Sequence, residues 1–292
     1  MPAPSRPTPK FSSPQTVLRQ TRGKFLPLAL AGSGSSADVW FCTTSSPNPL
    51  TSPPTQLYAL KLPSRTKQDR LTRELRALRL IASTASPLSP HFPRVLAADH
   101  PPAPFAECRW LATRAVLGCT LHALLSASKP HPLPRHLVLH IALQLSAALS
   151  YLHSMTPPLL HGDLFEGNVM LDMTWQRRND QGFPHVVIID FGAARFDDDG
   201  VDARALAWER TCVYRLAARL ALFRRGSAGR RTEEEGRRCG WWWEFVRVVA
   251  EPRADSGPGE VMGLDAFCER FAGAEGVLAG GSRGVGVSRA RG

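Results

Sequence analysis

From Phe25 to Cys42, apolar positions alternate with small or polar ones on either side of Gly32-Ser33-Gly34. That period of two predicts a pair of strands joined by a glycine turn. Leu57–Leu62 reads as a third, short strand. The period then changes. Leu71, Leu75, Leu78 and Ile81 recur at helical spacing, which predicts an amphipathic helix over Gln68–Ile81. Arg94–Ala98 and Glu107–Val116 read as two further strands split by a proline turn. From there the pattern is mainly helical. Leu121–Ser126 is a short helix, and Pro134 opens a long apolar helix that runs to His153. Strands near Val169–Asp172 and His185–Ile189 flank a polar turn. Asp202–Phe223 follows as a helix with Leu206, Val213, Leu216 and Leu220 on one stripe, then helices over Gly240–Val249 and Val261–Phe271. A sheet-rich first half and a helical second half make the chain α+β.

Proline and glycine mark the joints. Residues 43–56 form a polar, proline-rich loop, and residues 1–20 are rich in Pro, Ser and Thr. Residues 1–24 are expected to be an unstructured leader, and the Gly/Arg-rich residues 273–292 a solvated tail. Between them, 25–116 and 117–272 form the two halves of the folded region.

Composition narrows the class. The chain has 292 residues, 43% of them apolar and 21% charged, which excludes a disordered or collagen-like polymer. The most apolar stretch, Leu137–Leu152, is broken by His140, Gln144, Ser146 and Ser150, so no membrane span is expected. The N-terminus lacks an apolar signal region. Arg6, Lys10, Arg19, Arg22 and Lys24 precede the first acid, Asp38, in the manner of an organelle transit peptide, but motif-bearing sequence begins near residue 26, which favours a plain leader. The six cysteines form no Cys-x-x-Cys pair. Neither zinc nor a disulfide framework is suggested, and reduced thiols in the cytosol or nucleus are expected. The net charge of +11 sits in residues 1–150, with 17 cations against 5 acids. Only 5 of the 36 cations are lysine, a bias that need not reflect function, so nucleic-acid binding is not expected.

Four separated motifs carry chemistry. Gly32-Ser33-Gly34-Ser35-Ser36-Ala37-Asp38-Val39 lies between two strands, where glycines let backbone N–H groups approach phosphates. Taken alone, with Ala37 in place of a third glycine, it reads as a simple Gly/Ser hairpin. In Tyr58-Ala59-Leu60-Lys61, strand alternation sets Ala59 and Lys61 on one face, a small residue beside a cation. Lys61 is either solvent-facing or paired, and Glu74 on the next helix is the acid able to pair with it. In Leu160-His161-Gly162-Asp163-Leu164-Phe165-Glu166-Gly167-Asn168-Val169, an acid able to take a hydroxyl proton precedes by five residues an amide able to ligate a metal. Val187-Ile188-Ile189-Asp190-Phe191-Gly192 ends an apolar strand on an acid 22 residues after Asn168. Such a carboxylate suits Mg²⁺.

This order of motifs resembles the eukaryotic protein-kinase-like family over roughly residues 25 to 225. The resemblance implies a two-lobed fold, with a small β-rich N-lobe and a helical C-lobe, binding ATP and Mg²⁺. It implies that Gly32 and Gly34 lie over the phosphates, and that Val39 and Ala59 flank the adenine. Lys61 would hold the α- and β-phosphates and pair with Glu74. Thr113 would line the back of the pocket, and the backbone of Arg114 to Val116 would bond adenine. Asp163 would be the catalytic base, and Asn168 and Asp190 the metal ligands. An acid at the start of the helix after the Asp-Phe-Gly run, Asp202, would bond the catalytic-loop backbone from below.

The chain also departs from that family's pattern. Gly162 stands where most protein kinases have arginine, and Phe165 replaces the usual serine/threonine-kinase lysine. The segment from Gly192 to Asp202 is short, and no Ala-Pro-Glu motif follows it. The expectation is therefore an ATP- and Mg²⁺-dependent phosphotransferase, serine/threonine directed and monomeric. A small-molecule kinase of the aminoglycoside or choline kind is the second reading, favoured by His161-Gly162-Asp163 and the short segment. Asp197-Asp198-Asp199 would then be candidates for an acidic substrate pocket. A nucleotide-binding module without catalysis is the third.

Overall fold

A computed structural model describes residues 12–44, 56–64, 67–99, 107–128, 133–174, 182–196, 201–222, 240–250 and 262–280. The expectations for residues 45–55, for Asp197-Asp198-Asp199, and for the two extreme termini lie outside these residues. The chain is mixed α+β, and it divides into two compact units. One comprises Met1–Thr84, Pro93–Val116 and Phe191–Ala193. The other comprises Ala85–Phe92, Leu117–Asp190 and Ala194–Gly292.

In the first unit, β1 (Phe25–Ser33), β2 (Ala37–Thr44), β3 (Tyr58–Pro63), β4 (Val95–Ala98) and β5 (Leu111–Arg114) make an antiparallel sheet in the order β1-β2-β3-β5-β4. Cross-strand partners share a face. Trp40 pairs with Leu60, and Leu60 with Ala112. Together with Phe25, Cys42, Leu62 and Trp110 they form a buried cluster on one side of the sheet.

A helix covers that side. Residues Pro14–Gln20 form α1, capped by Ser13 Oγ, which accepts from the Thr16 N–H. Val17 is fully buried in the cluster. The expected leader therefore ends earlier than residue 24. Its Pro/Ser/Thr composition hides a Ser-Pro helix start and one well-placed apolar side chain. A second helix, α2 (Gln68–Ser83), buries Leu71, Leu75, Leu78 and Ile81 along one stripe.

In the second unit, β6 (Gly118–Thr120), β7 (Val169–Asp172) and β8 (His185–Ile188) form a small antiparallel sheet. β6, three residues long, is too short to show a period and was not among the strands expected. Helices α3 (Leu121–Ala127), α4 (Arg135–Ser154), α5 (Ala203–Leu222), α6 (Gly240–Ala250) and α7 (Leu264–Gly280) complete the unit. Pro134 is the residue flanking α4 and not its first turn. α7 runs to Gly280, so the expected tail from residue 273 begins inside a helix.

By length and composition α4 could cross a bilayer, but 61% of its apolar window is buried inside the protein. Its faces pack on α5 and α7. Beside them Tyr214 meets Phe267 edge-on at 5.4 Å and Phe245 meets Phe271 at 5.6 Å, an aromatic seam that joins α5, α6 and α7.

If α1 belongs to the first unit's core, Val17→Ala should lower stability by about 2 kcal/mol in urea unfolding. A change below about 0.5 kcal/mol, the range of a neutral surface substitution, would place the helix outside the core.

Candidate functional site

The first unit carries one half of the predicted constellation. Sheet register pairs Val39 with Lys61, and Ala59 with Thr113. All four side chains therefore share one face, opposite the Trp40–Leu60 cluster. Lys61 points across to α2, where Nζ meets Glu74 Oε2 at 2.6 Å. Glu74 falls within the apolar stripe of α2, three residues after Leu71, and is 5% exposed. A carboxylate there requires a donor, and Lys61 is that donor.

The β1–β2 turn is held tightly. The Gly34 N–H donates to the Ala37 carbonyl at 3.0 Å. Arg70 Nη1 donates to Ser36 Oγ at 3.1 Å, and the Ser64 N–H to the Ser36 carbonyl at 2.9 Å. Asp38, beyond the turn, accepts from Ser33 Oγ and from the Ser12 N–H, the latter at 2.7 Å. Burial pushes the Asp38 carboxyl up, but hydrogen bonds from Ser33 and Ser12 outweigh it and hold the group below its usual range. A Cβ at Gly32 would meet no protein atom, and one at Gly34 only Ala37 O at 3.9 Å. The turn itself thus has no steric need of these glycines, which leaves room for something else to approach the backbone.

Farther along the sheet, the Arg114 N–H donates to the Arg94 carbonyl and the Ala115 N–H to the Leu57 carbonyl. Both are taken up within the unit. A base bonding to this segment by N–H donation would depend on Val116.

The second unit carries the other half, on the loop between α4 and β7. Gly162 has φ +79°, a conformation L-residues adopt at a cost of about 1–2 kcal/mol. That accounts locally for glycine where arginine was the family expectation. The Asp163 N–H donates to His161 Nδ1 at 3.3 Å, and His161 Nε2 lies 2.9 Å from the Ile189 carbonyl. These partners assign the proton to Nε2 of a neutral ring. The Ile189 N–H in turn donates to the Asn168 carbonyl at 2.8 Å. Asn168 Nδ2 donates to the Asp163 carbonyl at 2.8 Å. The chain therefore closes on itself, and Asp163, Asn168 and Asp190 come together. Asp163 is exposed, Asn168 is buried, and Asp190 sits at φ +64°, a region Asp tolerates better than most residues.

Beneath the loop lies a group that the sequence reading missed. Glu209 on α5 is 3% exposed. Its Oε1 accepts from the Gly162 N–H at 2.7 Å, and its Oε2 lies 2.9 Å from His153 Nε2 at the end of α4. The expectation for Asp202 is corrected. Asp202 is exposed and accepts from the Ala205 N–H at 2.7 Å, an ordinary helix cap. The loop anchor is Glu209, seven residues on. A signal was available: Glu209 interrupts the stripe of Leu206, Val213 and Leu216, as Glu74 interrupts that of α2.

Burial raises the thiols of Cys42, Cys108, Cys212 and Cys268 to about 11, so none is poised as a nucleophile.

No protein-family model matches the chain. It is 38% identical over 85 residues to the mouse (Mus musculus) "ankyrin repeat and protein kinase domain-containing protein 1", covering 27% of this chain and 10% of that protein. It is 33% identical over 64 residues to a "putative serine/threonine-protein kinase/receptor" of Acanthamoeba polyphaga mimivirus, covering 22% of this chain and 3% of that protein. The chain thus spans a tenth or less of these relatives, and the similarity is to proteins that are kinase-like by name.

Glu209→Ala should strand the Gly162 N–H and remove the partner of His153, costing about 1–3 kcal/mol for the unpaired donor. Asp202→Ala removes only an exposed cap, at about 1 kcal/mol. Urea melts of both variants give the order, and an Asp202→Ala loss larger than that of Glu209→Ala would contradict the assignment.

Proposed function

We propose that the chain is a phosphotransferase of protein-kinase-like architecture. It transfers the γ-phosphoryl group of ATP, with Mg²⁺, to a serine or threonine hydroxyl. The first unit is the N-lobe and the second the C-lobe. The observation that carries this reading is the closed hydrogen-bond circuit that holds an exposed Asp163 beside Asn168 and Asp190.

The residues present suit the two groups the reading requires. Asn168 and Asp190 offer oxygen ligands, which Mg²⁺ prefers. Among the described residues no group of three His, Cys, Asp or Glu could hold a metal alone. An ion here would depend on phosphate oxygens as well, the usual habit of nucleotide-bound Mg²⁺. Gly32 and Gly34 leave the turn backbone open on a face shared by Val39, Ala59, Lys61 and Thr113. When bound, the metal–nucleotide complex supplies the phosphoryl group and neutralises its negative oxygens.

The chain's own residues do the rest. Glu74 keeps Lys61 extended, ready for phosphate oxygens. Asn168 and His161 fix the backbone around Asp163, and its carboxylate accepts the proton of the attacking hydroxyl. Glu209 fixes the base of the loop, so that Asp163 is positioned before the acceptor arrives.

Incubation with labelled ATP, a generic protein substrate and a panel of hydroxyl metabolites tests the reaction class. Asp163→Asn should reduce transfer by about 10²- to 10⁴-fold. Nucleotide affinity in calorimetry should stay nearly unchanged, because the carboxylate acts on the acceptor. Unaltered transfer in the variant would remove Asp163 from the chemistry.

A further inference from the structure

Along the exposed side of α5 stand Arg204, Trp208, Arg215 and Arg219, spaced four or seven apart. No acid lies on this stripe. Trp208 is 57% exposed, although it is one of the largest apolar side chains. Arg215 holds its guanidinium carbon 4.9 Å from the Trp208 ring, a cation–π contact that fixes both groups at the surface. The same helix grips the loop bearing Asp163 at two points. Glu209 binds the Gly162 N–H just before Asp163, and Arg219 bridges to Glu166 just after it. These contacts are ten residues apart on α5, roughly 15 Å along the axis. Between them stands Phe165, 45% exposed, with its ring laid over Gly167, where a Cβ would come within 2.5 Å of it.

We infer that this stripe docks an acidic segment of a polypeptide substrate and leads its hydroxyl to Asp163. The inference rests on the phosphotransferase reading and adds a substrate class to it. Arginine forks match carboxylates in a paired geometry, and exposed aromatics anchor peptide chains. Glu166, on the loop this helix grips, is already bridged by Arg219. A cationic acceptor of the aminoglycoside or choline kind would meet like charge. A nucleic acid needs a broad basic surface, whereas residues 151–292 carry 19 cations against 20 acids. The positive charge is local, which suits a short acidic segment.

Binding is read by fluorescence anisotropy with the full chain and two labelled peptides. Each has one serine and the same length, and one is flanked by Glu and Asp, the other by Gln and Asn. The acidic peptide should bind about tenfold tighter or more at low salt, and lose most of that advantage at about 0.5 M salt. Arg215→Glu and Trp208→Ala should each weaken it about fivefold or more, with Arg215→Lys between them and wild type. Melting curves check that the variants fold. Equal binding of the two peptides, no effect of either variant, or tighter binding of a single-stranded oligonucleotide would each overturn the proposal. Transfer to the same peptides separates the two readings. Tight acidic binding without transfer refutes the phosphotransferase and leaves the docking. Equal transfer to both peptides refutes the docking and leaves the phosphotransferase.

Discussion

A carboxylate removed from water must be met by donors, and Glu209 is met by two. One is the backbone N–H of Gly162, the other a ring nitrogen of His153. Stripping either partner from a buried charge costs several kcal/mol, so the end of α4, the middle of α5 and the 160–168 loop are fixed together. Asp163 inherits its place from that junction. Glu74 repeats the device in the first unit. It is buried on the apolar stripe of α2 and fixes the lysine on β3.

What these anchors support is backbone of an uncommon kind. Gly162 and Asp190 both have positive φ. Such conformations persist where surrounding bonds over-determine them, and they concentrate at functional sites. Here the surrounding bonds are visible. Leu160 and Arg195 exchange two backbone hydrogen bonds at 3.0 Å, and His161 and Asn168 bind the two sides of Ile189. The strain at Asp190 is thus enclosed between a paired strand end and a backbone bridge.

Part of the site was legible in the sequence from period, and the motifs at 160–169 and 187–192 from their residue types and order. Strand alternation placed Ala59 and Lys61 together. Glu74 was legible as the acid on the next helix able to pair with Lys61, and its place within the apolar stripe of α2 marks it a second time. The same rule applied to α5 would have singled out Glu209. Asp202 drew attention because it stands at a helix start, where an acid needs no further explanation than capping. Other features were illegible for physical reasons. α1 depends on Val17 finding a pocket made by residues up to 95 positions away, which no local window contains. β6 has three residues, and its pairing with β7 is a tertiary fact. The C-terminal extension of α7 has a glycine-rich sequence that local propensity reads as tail.

The central proposal is that Asn168 and Asp190 hold the Mg²⁺ of a bound nucleotide. It is tested most directly by thermal melting with ATP, in Mg²⁺ or in EDTA, for the wild type and Asp190→Ala. The predicted result is a rise in melting temperature for the wild type that requires Mg²⁺ and is lost in the variant, since a ligand stabilises only the state that binds it. No rise in the wild type, or an equal rise with and without metal in both proteins, would contradict it.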